Sequence, residues 1–169
     1  MAQSHPLVTT LIWVLVALVL LGAYVTWTAG RLDRLHARVD AAWAALDAQL
    51  VRRAAAARAL APYVGDGTAS AALDQAAHVA VDAGESSRET VENDLSRALR
   101  AAVPLLSTEA QLDELRTAAS RVALARSFHN AAVKDTRAVR WRRMPRLLRL
   151  AGHRAMPAYF EIDDTTLAG

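Results

Sequence analysis

The chain has 169 residues, 53% of them hydrophobic but only 5% aromatic, and a formal net charge of +3. Alanine accounts for 38 positions; it has the highest helix propensity and buries little surface, so the chain forms helices readily around a thin core of leucine, valine and a few aromatics. Cysteine is absent, which excludes disulfides, thiolate chemistry, cysteine-ligated zinc and cysteine lipid anchors.

Residues 7–29, LVTTLIWVLVALVLLGAYVTWTA, carry no charge. That is 23 residues, against the roughly 20 that cross a hydrocarbon core as a helix. Tyr24 and Trp27 suit a headgroup interface. A cleaved signal peptide fits poorly: no basic residue precedes the run, the run is too long, and no clean small-x-small site follows. Arg31, Arg34 and Arg38 lie just after the span, so the positive-inside rule puts residues 1–6 outside the cell membrane and residues 31–169 in the cytosol.

After this anchor, Leu32, Leu35, Val39, Trp43, Leu46, Leu50, Ala54, Ala57 and Leu60 recur with a mean step of about 3.5 residues, the period of one packed helix face. The anchor is expected to continue into this helix with at most a kink at Gly30, and Pro62 with the Gly65-Asp66-Gly67 turn ends it. Residues 68–83 read as an alanine-rich helix broken by Gly84; Ser86 and Glu89 have capping-box spacing for a restart that stops at Pro104. These two pieces are one broken helix or a short hairpin, and matching their lengths to the flanking helices favours the broken helix. Thr108 then opens a long helix, with Gln111 at the capping-box position and Leu112, Leu115, Ala119, Val122, Ala125, His129, Ala132, Thr136 and Val139 on its inner face. It is expected to fray between Trp141 and Pro145. The fold class is therefore all-α: one amino-terminal transmembrane helix, then an antiparallel bundle of long helices over 31–145 (three with the middle one broken, or four), then a basic, amphipathic segment and tail over 146–169.

Two stretches, VDAAWAALDAQLVRR (39–53) and RVALARSFHNAAV (121–133), resemble the LemA family. The first motif matches at Trp43, Asp47, Gln49, Leu50, Arg52 and Arg53, the second at Ala125, Arg126, Asn130 and Val133. Pro145, Gly152, Pro157, Tyr159 and Phe160 are similar to the family's carboxy-terminal stretch. The chain departs from the pattern at Arg58 and Ala59, at Ala119 where a glutamate is common, and at His129 where a tyrosine precedes the asparagine. The resemblance covers about 75 residues and implies a short outer amino terminus, one transmembrane helix and a cytosolic helical bundle.

Asp47 lies one turn from Trp43, beside the apolar stripe, where a carboxylate needs a partner. Arg126 or Asn130 is the expected one, which makes Trp43, Asp47, Leu50, Arg52, Arg53, Arg126 and Asn130 a structural polar clamp. The histidines at 5, 36, 78, 129 and 153 show no metal-ligand spacing, and no nucleophile elbow, phosphate loop or zinc-protease motif occurs. The chain is read as non-enzymatic, with no cofactor and no metal. Residues 137–154 carry +7 with no acidic residue, whereas 31–136 sum to −1 and 155–169 to −3. Arg137, Arg140, Trp141, Arg142, Arg143, Arg146 and Arg149 thus form the candidate surface for an anionic lipid or a partner, against the plainer reading of a solvated helix end favoured by the helix dipole. Nucleic-acid binding lacks a reader motif. The expected function is a membrane-tethered interaction module that binds a protein partner or itself; the alternative is binding to an anionic lipid surface through 137–154. The arginines reach the membrane if the middle of the chain is a hairpin and lie away from it if the middle is one broken helix.

Overall fold

The computed structural model describes residues 4–106, 109–141 and 154–163, and the side chains of these apart from 4–6 and 109–111. Four α-helices lie among them: α1 (Ser4–Leu60), α2 (Gly67–Val81), α3 (Arg88–Ala102) and α4 (Glu109–Arg140). Short 3-10 turns follow α1, precede α3 and follow α3, the first carrying Pro62 and the last Pro104. The chain divides into two compact units, Met1–Arg38 with Lys134–Pro157 and Val39–Val133 with Ala158–Gly169.

In the first unit, α1 begins with the apolar run. It is long and apolar enough to cross a membrane, and its large side chains from Leu7 to Leu21 are all exposed, Leu7 by 73% and Leu11 by 70%. The helix passes through Gly30 without a break. Burial begins at Thr28 and continues at Leu32 and His36. Thr136 and Val139 of α4 are buried too, and the Thr136 hydroxyl donates to the Leu35 carbonyl at 3.4 Å. Arg38 pairs with Asp135 at 3.7 Å across an exposed edge.

The second unit holds three apolar clusters. Ala54, Ala57, Leu60, Ala61 and Val64 pack with Leu73, Ala77 and Ala80 of α2, Leu95, Leu99 and Ala102 of α3, and Leu115 of α4. Leu46 and Leu50 meet Val122, Phe160 and Ile162. Val39 meets Ala132 and Val133. Sequence number thus falls along α4 as it rises along α1.

The middle of the chain corrects one expectation. α2 and α3 pack side by side as a hairpin, and an isolated bridge joins Val64, before α2, to Leu106, after α3. The length argument assumed that the middle helices must flank α1 along its whole packed face. They need not, because the hairpin's apolar contacts with α1 begin at about residue 54 and its charged contacts reach back to Asp47, while α4 and residues 160–162 cover Leu46 and Leu50.

The helix starts are uneven. Asp66 caps α2 by accepting from the Thr68 and Ala69 amides at 2.7 and 3.0 Å, and these hydrogen bonds hold its carboxyl below the usual range. The capping box expected at Ser86 and Glu89 does not form. Ser87 is the residue at the start of α3, it makes no side-chain cap bond, and Glu89 faces elsewhere. The box expected at Thr108 and Gln111 rests on Thr108 and on the Gln111 side chain, which lie outside what is described.

Candidate functional site

Two polar assemblies stand in the second unit. The first is a chain of charges through the helix interfaces. Arg53, buried to 2% exposure, donates through one Nη2 to the Glu92 carboxylate at 2.6 Å, the Glu92 carbonyl at 3.2 Å and the Ser96 hydroxyl at 3.3 Å. Arg88, also buried, donates to the Ala80 carbonyl and to Asp47, both at 2.6 Å, and its Nη1 lies 3.8 Å from Glu92. Glu92 is fully buried. Burial pushes its carboxyl above the ordinary range, and the Arg53 and Arg88 guanidiniums offset only part of that rise. Glu92 Oε1 and the Nε of both arginines make no hydrogen bond. A buried ion pair gains little net stability but costs several kcal/mol when one partner is removed, so this assembly penalises any packing of α1 on α3 that separates its charges.

The network corrects the expected clamp. Asp47 is paired with Arg88 on α3, not with Arg126 or Asn130 on α4. Arg53 turns inward while Arg52 points outward, onto an open groove between α1 and α4 lined by Ala55, Ala56, Ala59 and Arg121. Arg126 is half-buried one turn before Asn130. Sequence reasoning missed Arg88, Glu92 and Ser96. The available signal was their i, i+4, i+8 spacing, which puts an arginine, a glutamate and a serine on one helix face.

The second assembly holds residues 158–163, a segment outside any helix or strand. Burial alternates along it: Phe160 and Ile162 are buried, while Tyr159, Glu161 and Asp163 are exposed, the period of an extended chain. Phe160 meets Trp43 edge to face at 5.5 Å, and Trp43 meets His129 at the same distance. The Asn130 side-chain amide pairs with the Phe160 backbone in both directions: its Nδ2 donates to the Phe160 carbonyl at 3.1 Å, and the Phe160 amide donates to its Oδ1 at 2.9 Å. The Glu161 amide donates to Glu89 at 2.8 Å, and the Asp163 amide to Asn93 at 2.9 Å. Arg100 Nη1 lies 2.7 Å from the Asp163 carboxylate. Glu89, Asn93 and Arg100 share one face of α3, which explains why Glu89 is not engaged in a cap. Burial lowers the His129 imidazole below its usual value, and the Ala158 carbonyl opposes that shift. That carbonyl only accepts, so its 3.4 Å contact requires the Nε2–H tautomer and leaves Nδ1 a buried acceptor with no hydrogen-bond partner.

The basic segment belongs to the first unit, where residues 137–141 and 154 are described. Arg140 is half-buried: it donates to the Ala155 carbonyl at 2.7 Å and the Arg154 carbonyl at 3.0 Å, and its Nη1 lies 3.4 Å from His36 Nε2. His36 Nδ1 in turn lies 2.9 Å from the Leu32 carbonyl. Arg140 is therefore committed to backbone as much as to any outside surface. Arg137 is half-buried and Trp141 is 62% exposed. Arg142, Arg143, Arg146 and Arg149 lie outside the described residues, as do Pro145 and Gly152.

Comparison with known proteins yields no match to any family model, any curated protein or any solved structure.

Proposed function

We propose that the protein is a non-enzymatic, membrane-anchored interaction module, similar to a divergent LemA protein. In this reading residues 7–29 cross the cell membrane once with the amino terminus outside. The remainder is an antiparallel helical bundle in the cytosol that binds a protein partner or another copy of itself. The observation that carries the reading is the division of α1. Its first part exposes large aliphatic side chains all round, from Leu7 to Leu21, and the same helix continues into a buried one-sided face from Leu32. Fully exposed apolar surface of that extent requires lipid or protein cover. Arg31, Arg34 and Arg38 after the run support the cytosolic side for the bundle. The LemA likeness gains support from convergence: Trp43 of the first motif and Asn130 of the second both hold Phe160 of the carboxy-terminal stretch.

A second reading, binding to an anionic lipid surface through residues 137–154, is favoured by one contact. Arg140 approaches His36, seven residues beyond Ala29. At 1.5 Å per residue that is roughly 10 Å past the end of the apolar run, within reach of the headgroup layer.

The test is in-cell crosslinking of the tagged full-length protein, followed by mass spectrometry against an anchor-only control. A discrete partner, or the protein's own second copy, recovered only with the bundle present is the expected result; recovery equal to the control would reject the module. Reversal of Arg142, Arg143 and Arg146 to glutamate separates the readings. Loss of association of residues 31–169 with anionic liposomes favours lipid; retained liposome binding with a lost crosslink favours a protein partner.

A further inference from the structure

The extended segment 158–163 is held in the way a bound peptide is held. Most of the polar contacts to it are made to its backbone by side chains of the helices: Asn130 takes both the amide and the carbonyl of Phe160, Glu89 takes the amide of residue 161 and Asn93 the amide of residue 163. Such contacts tolerate any side chain on the ligand, because every residue but proline offers the same amide and carbonyl. Selectivity comes from three places. The Phe160 ring sits edge to face on Trp43; Ile162 lies with it in the apolar cluster of Leu46, Leu50 and Val122; and Arg100 faces the Asp163 carboxylate. Backbone contacts for affinity, alternate side-chain pockets for specificity and a charge at one end form the general pattern of extended-peptide recognition.

The resident segment does not satisfy the groove completely. His129 at its floor is buried, yet it meets the Ala158 carbonyl only at 3.4 Å and keeps Nδ1 without a hydrogen-bond partner. The segment also arrives at the end of a connection: 17 residues, 141–157, separate α4 from Ala158.

We propose that this surface of α1, α3 and α4 is a groove for an extended peptide of a partner protein with an aromatic residue, any residue, an aliphatic residue and an acidic residue in succession, and that the chain's own residues 160–163 are its resident competitor. The proposal deepens the interaction-module reading and rests on it. The partner's segment displaces the tail, takes over the Asn130, Glu89 and Asn93 bonds, and sets its carboxylate against Arg100.

The probe is a fluorescent peptide of the sequence AYFEID, titrated by polarisation against the full chain in nanodiscs. Phe160→Ser with Ile162→Ser removes the tail's two anchors and leaves the groove intact. This variant is expected to bind the probe at least tenfold more tightly than the wild type and to ignore a scrambled peptide. Adding Arg100→Glu is expected to weaken the probe about tenfold and to restore binding of AYFEIR. If the double serine variant loses its cooperative helical melt, the wild type serves instead: a probe with nitrophenylalanine at the aromatic position is expected to quench tryptophan emission saturably through Trp43, and its scrambled form is not. Absence of saturable binding in the folded variant, or of quenching in the wild type, overturns the proposal. So does transfer of labelled tails between copies of the wild type with no binding of free peptide, which makes a second copy the occupant. A cellular crosslink undiminished by an Arg100→Glu substitution that weakens probe binding overturns the groove while leaving the interaction module standing.

Discussion

The two polar assemblies of the second unit do similar geometric work by opposite means. The network of Arg53, Glu92, Arg88 and Asp47 places full charges between helices, three of them nearly out of reach of water. The tail clamp uses two neutral side-chain amides, Asn130 and Asn93, the exposed Glu89 carboxylate, backbone groups and an ion pair that remains partly exposed, with side chains 41% and 44% accessible. Burying charge is costly, and each charge in the network depends on its neighbours, so that assembly is close to all-or-none. A neutral backbone contact at a surface is made and broken at much smaller cost. Under the proposed exchange of the tail, the difference separates a fixed core from a replaceable ligand.

The largest effect is expected at Glu92. Glu92→Ala leaves Arg53 buried and unpaired and is expected to destabilise the second unit by about 3–5 kcal/mol, read as a lower thermal or urea midpoint; replacing the pair together, Arg53→Met with Glu92→Leu, is expected to recover most of that loss. Phe160→Ala is expected to cost about 3 kcal/mol, but in docking of the tail. Hydrogen exchange should rise at residues 160–163 while α2 and α3 stay protected, and an equal loss of protection in α3 would join the two assemblies into one. Asn130→Ala removes both bonds to Phe160 and is expected to weaken tail docking by about 2 kcal/mol, measured in the same way. Asp47 is half-exposed and pairs with only one side of Arg88, so Asp47→Ala is expected to lower unfolding stability by about 1 kcal/mol; an unchanged midpoint would remove it from the network.

Proton linkage sharpens the contrast in opposite directions. Glu92 is raised from 4.5, so its contribution is fully present below about that pH and is lost as pH rises through its higher folded value. His129 is lowered from 6.5, so its contribution is fully present above about that pH and is lost as pH falls through its folded value. Melting of the wild type against Glu92→Gln and His129→Gln across pH 4 to 8 is expected to show the variants losing these two components of opposite slope.

The helices were legible because a single period wrote them. The stripe Leu32 to Leu60 and the stripe Leu115 to Val139 are buried almost position for position, and Pro62, Gly84 and Pro104 mark the breaks. The hairpin was not legible, since periodicity says which face is apolar and not which neighbour covers it. The partner of Asp47 was misassigned for the same reason: periodicity places Asp47 beside the apolar stripe but does not say that Arg88 of α3 lies next to it. The tail escaped because five residues of alternating burial, YFEID, are too few to stand out after a basic segment, and because its partners are polar side chains scattered over α3 and α4 rather than an apolar stripe. Trp43 and Asn130 were both singled out from the sequence, but only the structure shows that they meet the same residue, Phe160.

Native-state hydrogen exchange of the full chain in nanodiscs tests the central claim, that the second unit holds its own tail as a replaceable ligand. The amides of Phe160, Glu161 and Asp163, each donated to a side chain, are expected to exchange through local opening, well ahead of the Leu95 and Ser96 amides beside Glu92 and with little dependence on denaturant. Exchange of the tail amides at the rate of those α3 amides, with the same denaturant dependence, would show that the tail opens only with the core and would contradict the account.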